Sequence, residues 1–429
     1  MASGASTAET FLGVLLQTER ASEAELNAYQ TELLTRLVRH AFTTVPFFAG
    51  RGAPPERMDP RSAAWRTQPF MSRSDLTQHA NALKPQDFPR IHGQISTTQT
   101  GGSTGPAARR DISTLESLGR FGASFRMFQA WDLDQSLDLI WLRKPRPSQD
   151  HSYDRWGFPW RPEDKLGRRH AMDIAAPSDR QLDLINRHAP AHVHTLPSNV
   201  LRLVMEARRS GTRTAIPAFM VVGEYLAPEV RQAAHDIFGA RVIDVFSSAE
   251  GGVIAIQCPD SGLYHIQSEI ILAEILRSDG EPAAPGETGE LVVTPLYSYA
   301  TPIIRYRTGD FVEAGPPCSC GRCLPTIARI VGRREHMFLF PDGTRALPAI
   351  DRIALSQALG HDQWVLVQTD ERAAEIRVAG SVSPEQQDIL LRHVQASLGS
   401  DFAASLARVD ALPLTSGSKR HFTVNATGR

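Results

Sequence analysis

Cysteine is scarce in this chain: four among 429 residues, three of them together at Cys318, Cys320 and Cys323. So few thiols exclude a secreted disulfide framework and suit metal binding in a reducing cytoplasm, which is the expected location. Charge of one sign is also lacking, since the formal net charge is -1. That balance offers no basic field to a nucleic-acid backbone or an anionic membrane, so neither partner is expected. No apolar run approaches the roughly 20 residues of a membrane-crossing helix. The short apolar stretch 11–16 follows Glu9 rather than a basic residue, and so does not read as a signal peptide. Lysine is equally scarce, at 84, 144, 165 and 419 only, among 46 basic residues. A chain that so prefers arginine and yet keeps a lysine near its end points to a task for a compact ammonium rather than a planar fork.

What remains is a globular composition, 41% hydrophobic and 22% charged, in a chain long enough for two or more domains. Leu26, Tyr29, Leu33, Leu37, Val38 and Ala41 recur at helical spacing and predict a helix over 24–43 with one face on a core. From residue 111 the pattern alternates. A helix to 130, a strand at 137–142, a helix near 180, a strand at 193 and a helix over 198–209 predict parallel sheet with crossover helices. Residues 143–169, rich in Pro, Arg, Trp and Asp, read as a long surface excursion. Strands are expected at 241–245, 252–257, 264–276 and 290–294. A boundary near 333 precedes a strand pair at 364–368 and 375–378, a helix over 384–398 and a last strand near 409. The expected class is α/β: a large mixed α/β domain over 1–333, then a small α+β domain over 334–429.

Three constellations carry chemistry. Thr98-Gln99-Thr100-Gly101-Gly102-Ser103-Thr104-Gly105 follows a strand-like segment at 91–96. Its glycines let backbone N–H groups approach phosphate oxygens, and the hydroxyls of Thr100, Ser103 and Thr104 can add hydrogen bonds. Pro106 and Ala107 stand where a P-loop NTPase would carry Lys and Ser/Thr, so that class is disfavoured. Cys258 and His265, with the later Cys318 and Cys320, offer three thiolates and an imidazole, a donor set for structural zinc. Cys323 competes, so the set could instead be Cys318, Cys320 and Cys323 with either Cys258 or His265. Four protein ligands leave no open position, which argues against catalytic zinc. The third is Lys419, in Leu414-Thr415-Ser416-Gly417-Ser418-Lys419-Arg420.

Phe246-Ser247-Ser248-Ala249-Glu250-Gly251-Gly252, Thr301-Pro302-Ile303-Ile304-Arg305-Tyr306-Arg307-Thr308-Gly309-Asp310 and Ile330-Val331-Gly332-Arg333 resemble, in order, core motifs of the acyl-adenylate-forming superfamily. The branch resembled is phenylacetate-CoA ligase, whose hallmarks also appear as Val45-Pro46-Phe47-Phe48, Gln68-Pro69-Phe70 and Cys318-Ser319-Cys320-Gly321-Arg322. The resemblance implies ATP-dependent activation of a carboxylic acid to acyl-AMP, with a small mobile C-terminal domain that carries a catalytic lysine. It implies that Phe246 stacks on adenine, that Gly223 and Glu224 line the adenine site, and that Asp310 accepts from the ribose hydroxyls. Ser247 and Arg333 would also meet the nucleotide, and Glu250 would hold Mg2+ across phosphate oxygens. Lys419 sits where the family's lysine belongs. An aromatic acid as substrate and coenzyme A as acceptor come from the same resemblance. The phosphopantetheine thiol of an acyl carrier protein, an amine, and a non-catalytic scaffold are the alternatives, and a homodimer is allowed.

Several positions depart from the family pattern. Ser247 and Ala249 replace the usual Gly and Ser/Thr before Glu250. The basic residue after Gly105 is absent, although Arg109 and Arg110 follow. Glu335 and His336 replace the paired Asp residues of the hinge, and 338–348 lacks the Gly-Asn-Val pattern associated with the thiol-forming conformation, which bears on the acceptor.

Overall fold

The computed structural model describes residues 2–99, 108–144, 156, 167–412 and 419–428. Residues 100–107 lie outside these, and with them the loop Thr100, Gly101, Gly102, Ser103, Thr104 and Gly105; so does most of the excursion at 143–169. The chain forms two compact units. One is built from Met1–Leu133 and Val245–Ile330, and the other takes its described residues from 134–244 and Val331–Arg429.

In the first unit the helix Glu23–Thr44 begins with a capping box, in which Ser22 Oγ accepts from Glu25 N while Glu25 accepts from Ser22 N. Its buried face is Leu26, Gln30, Leu34, Leu37, Val38 and Ala41. Tyr29 and Leu33 are half-buried at its edge, and Tyr29 bonds the Tyr297 hydroxyl at 2.8 Å. The strand Arg109–Ser113 runs into the helix Thr114–Ala130, capped by Ser113 Oγ on Glu116 N. Strands Gly252–Gln257, Tyr264–Ile266, Ile271–Leu276, Thr288–Pro295, Tyr306–Ala314 and Thr326–Arg333 supply most of the sheet, paired antiparallel where the register is defined.

The single strand expected over 264–276 is two, broken at 267–270. Gln267 and Glu269 are buried there, and the turn aims both at Arg126, whose guanidinium meets Glu269 at 2.6 Å and Gln267 at 3.0 Å. A continuous strand would have left that carboxylate without its cation, and an unpaired buried charge is costly.

The second unit contains the expected parallel sheet. Strand Leu139–Leu142 lies between Arg169–Met172 and His192–Thr195, which in turn pairs with Ala218–Val222, all parallel. Helices Ser178–His188, Pro197–Ser210 and Pro228–Phe238 cross between these strands. Proline opens the last two and left-handed Gly211 and Gly239 close them. A four-stranded sheet follows, in the order Ala403–Val409, Ala373–Ala379, Trp364–Asp370, Thr423–Asn425. Helix Pro384–Leu398 lies against it, and Trp364, Leu366, Ile376, Leu390, Val394 and Phe422 share a buried core with the parallel-sheet helices. The last strand is not the one near 409 but Thr423–Asn425, parallel to Trp364–Asp370 with Leu366 opposite Thr423. Three residues carry too weak a pattern to read from sequence, yet this strand fixes the chain just after Lys419 and Arg420. Among the described residues no helix is long and apolar enough to cross a membrane.

Candidate active site

In the first unit Glu250 occupies the turn between strands Arg241–Ser248 and Gly252–Gln257. Ser248 Oγ accepts from Gly251 N at 2.8 Å, and Gly252 takes a φ of +76° that an L side chain rarely adopts. A Cβ on Gly252 would also come within 2.9 Å of Arg120 Nε, so glycine is needed twice over. Arg110, buried, donates to the Glu250 backbone carbonyl at 2.8 Å and pairs with Glu116, which also takes Arg120 at 3.0 Å. The Glu250 side chain is 7% exposed and accepts from the Tyr306 hydroxyl at 3.3 Å. That bond joins the motif at 246–252 to the motif at 301–310.

Within the latter motif, Arg305 and Asp310 have different tasks. Arg305 is 2% exposed with a φ of +50°. Its guanidinium grips Glu274 at 3.0 and 3.2 Å and donates to the carbonyls of Arg66 and Gln68 at 2.6 and 2.9 Å. It also lies 4.3 Å from the Phe70 ring, so Arg305 and Gln68-Pro69-Phe70 form one structural clamp. Asp310 is 8% exposed on strand Tyr306–Ala314, its N–H donating to Thr308 Oγ1 at 3.0 Å. Gly309 between them has a φ of +76°, and the facing strand shifts register between Glu290 and Val292. This local bend, not the strand's simple alternation, sets where Asp310 stands. Phe246 is half-buried opposite Ala255, and the register shifts again between Phe246 and Ser247.

Three cysteines and a histidine of this unit also converge. Ligand atoms of Cys258, His265, Cys318 and Cys320 all lie within 4.8 Å of one another. Cys258 Sγ and Cys318 Sγ are 3.9 Å apart, and Cys320 Sγ and His265 Nε2 are 3.3 Å apart. Tetrahedral zinc with Zn–S near 2.3 Å sets ligand separations of about 3.5–3.8 Å, and the two observed separations lie on either side of that range. Arg322 donates to Cys320 Sγ at 3.5 Å, and Ser261 Oγ lies 3.1 Å from Cys318 Sγ. Cys323 turns away and donates to the Thr18 carbonyl at 3.2 Å.

In the second unit Gly223, Glu224 and Lys419 come together. Gly223, with a φ of +88°, ends strand Ala218–Val222. A Cβ there would lie 3.2 Å from Lys419 Nζ and 3.1 Å from its Cε, so the lysine is packed on the bare glycine backbone. The neighbouring Glu224 carboxylate accepts from Ser198 N at 2.9 Å, Ser198 Oγ at 3.1 Å and Arg420 N at 2.7 Å. Helix Pro197–Ser210 has no side-chain cap of its own at Leu196, and Glu224 satisfies its N-terminus from outside. Burial pushes the Glu224 carboxyl up, opposed by these three donors and by Lys419. The Arg420 guanidinium donates to the Asp362 carbonyl at 2.6 Å and pairs with its carboxylate at 3.0 Å. Lys419 is therefore delivered by a neighbour held at both backbone and side chain. Arg333 lies 3.3 Å from Glu335, and the His336 and His421 rings meet edge to face at 4.1 Å. Burial pushes His336 down to about 3 and His421 down to about 4.

Four residues with a part in this geometry were given no role from sequence: Arg110, Tyr306, Ser198 and Arg420. For Arg110 and Tyr306 a signal existed, since one follows the glycine-rich loop and the other lies inside a motif. Ser198 and Arg420 become partners of Glu224 only through the fold.

No family model matches the chain. The chain is 26% identical over 412 residues to a phenylacetate-coenzyme A ligase of Aromatoleum evansii, covering 89% of each. It is also 26% identical over 341 residues to the Escherichia coli K12 protein of that name, covering 75% of this chain and 74% of the relative. Its fold matches the crystal structure of 2-hydroxyisobutyryl-CoA ligase in the postadenylation state with 2-HIB-AMP, at a TM-score of 0.73 and 20% identity, over 96% of this chain and 92% of that one. In sequence along most of its length the chain resembles these phenylacetate-coenzyme A ligases, and in fold it resembles that 2-hydroxyisobutyryl-CoA ligase.

Proposed function

We propose that this phenylacetate-CoA ligase-like chain is an acid–thiol ligase that activates a carboxylic acid with ATP and passes the acyl group to coenzyme A. The observation that carries the reading is Lys419, one of four lysines, packed on the Gly223 turn while the adjacent Arg420 is clamped to Glu224 and Asp362. In the first half-reaction a carboxylate oxygen attacks the α-phosphorus, the bond to the bridging oxygen breaks, and pyrophosphate leaves with that electron pair. Negative charge gathers on the phosphoryl oxygens, and Lys419 supplies a fixed cation to it. Gly223 leaves room for that ammonium. Glu224 is a positioning residue, acting on Lys419 through the Arg420 N–H. Glu250 is the carboxylate that would hold Mg2+, which when bound would neutralise phosphate charge; a single hydrogen bond to its side chain among the described residues, from Tyr306, fits a group that still has lone pairs to give. Asp310 receives the ribose hydroxyls and Phe246 the adenine, with Ser247 and Arg333 completing the nucleotide contacts. In the second half-reaction the thiolate attacks the acyl carbon and AMP departs.

An aromatic acid is the proposed substrate, a reading supported by the name that the curated relatives carry. The cysteine–histidine knuckle holds structural zinc through Cys258, His265, Cys318 and Cys320, and supplies no chemistry to the reaction. Pyrophosphate release across benzoic, hydroxybenzoic, phenylacetic and cinnamic acids tests the first half-reaction. Release with at least one is expected, and release with none of them contradicts the aromatic reading. Coenzyme A or a holo carrier protein is then added to the responding acid. A thioester on coenzyme A is expected, and one formed only on the carrier would replace that acceptor.

A further inference from the structure

A second set of ligating side chains lies in the other unit and takes no part in the proposed reaction. Asp138 immediately precedes strand Leu139–Leu142, His170 lies on the neighbouring strand Arg169–Met172, and His188 is the last residue of helix Ser178–His188. One ligand atom from each falls within 4.8 Å of the others. We propose that Asp138, His170 and His188 bind a zinc-class divalent cation through two imidazole nitrogens and one carboxylate oxygen, the three ligands found together among the described residues.

The backbone aims all three inward. Asp138 is fixed between two strands, its carbonyl accepting from Ala191 N at 2.7 Å while Leu139 N donates to the Arg168 carbonyl at 2.8 Å. Its Oδ1 is taken by Arg168 N at 2.8 Å, which leaves Oδ2 to face both rings, 2.7 Å from His170 Nε2 and 3.7 Å from His188 Nδ1. The rings stack with centroids 3.6 Å apart. Ala189, just after His188, takes a φ of +39°, where glycine is usual, and thereby turns the chain back directly after the helix.

A single Asp–His pair would explain His170 alone, but not a second imidazole brought to the same oxygen. Zinc bonds of about 2.0–2.2 Å to N and O ask for donors roughly 3.3–3.5 Å apart, so the two observed separations bracket the need. Nitrogen and carboxylate donors without sulfur suit Zn2+, Co2+ or Ni2+ rather than a thiophilic ion. Arg168 and Arg187 stand near His188 and oppose added positive charge, so this ion exchanges more readily than one in the thiolate knuckle.

The test is the metal content of the full chain after dialysis against micromolar zinc. Wild type is expected to hold one ion more per chain than His188→Ala, and Asp138→Asn should show the same loss. In Cys318→Ser the ion bound by Asp138, His170 and His188 should remain. Equal content in wild type and His188→Ala overturns the proposal, as does an extra ion lost only in Cys318→Ser. Should His188→Ala fail to fold, the imidazole proton resonances of the wild type serve instead. Those of His170 and His188 must move with zinc, and movement of the His265 ring alone would reject the site.

Discussion

Two glutamates, one in each unit, stand at comparable places after a strand and face different company. Glu224 has its carboxylate filled by three donors from two other segments, and closes the N-terminus of a helix. Glu250 receives one longer side-chain bond, from Tyr306, while its backbone carbonyl rather than its carboxylate meets Arg110. The first is spent on structure and on placing Arg420, and so Lys419. The second accepts from Tyr306 alone among the described side chains, with the charges of Arg110 and Arg120 near it. A buried carboxylate is informative only once its lone pairs are assigned.

That contrast can be broken by substitution. The largest effect is expected for Lys419→Ala, which should slow pyrophosphate release by about 10²–10³-fold, the usual loss when one fixed donor to developing charge is removed, with the melting temperature little changed. Glu250→Gln should come next, with release falling about 10²-fold and stability nearly intact, since the Tyr306 hydroxyl still finds an amide oxygen. Glu224→Gln should show the opposite split. Its amide N would face donors, so unfolding by urea should shift by about 1–3 kcal/mol, and any activity loss should vanish in the Lys419→Ala background. Equal stability losses in the two Gln variants would erase the distinction.

How much of this was legible in the sequence differs by region. The parallel strands and crossover helices around 193 and 198–209 could be read, because buried strands and one-sided helices carry strong periods. The break at 267–270 could not, since it depends on Arg126, 141 residues from Gln267 and 143 from Glu269 in sequence, and neither could the three-residue strand that holds the chain after Lys419. The motif order named Glu250, Asp310 and Lys419 without placing them. That Arg305 of the same motif clamps Gln68 and Phe70 follows only from its contacts. The loop 100–105 remains an expectation from sequence.

A smaller effect concerns acid. His192 and His336 are held down to about 3, and His92 and His421 down to about 4, by burial. The unfolded rings, near 6.5, take protons that the folded ones refuse, so stability is full above that pH and falls as pH drops toward about 4. The slope is about 1.4 kcal/mol per pH unit for each such ring, and His421→Asn should lower the slope of urea midpoints between pH 6.5 and 5 by one ring's share. An unchanged slope would mean that His421 does not stay neutral in the fold. Smallest is the effect of removing zinc on chemistry. Cys318→Ser should lose one ion by elemental analysis and some thermal stability, while surviving folded enzyme releases pyrophosphate at the wild-type rate.

Acid activation assisted by a positioned lysine is measured by pyrophosphate release from wild type and Lys419→Ala over the aromatic acid panel. Release with at least one acid is expected in the wild type, with a drop of about 10²–10³-fold in the variant. Equal rates in the two proteins would contradict it.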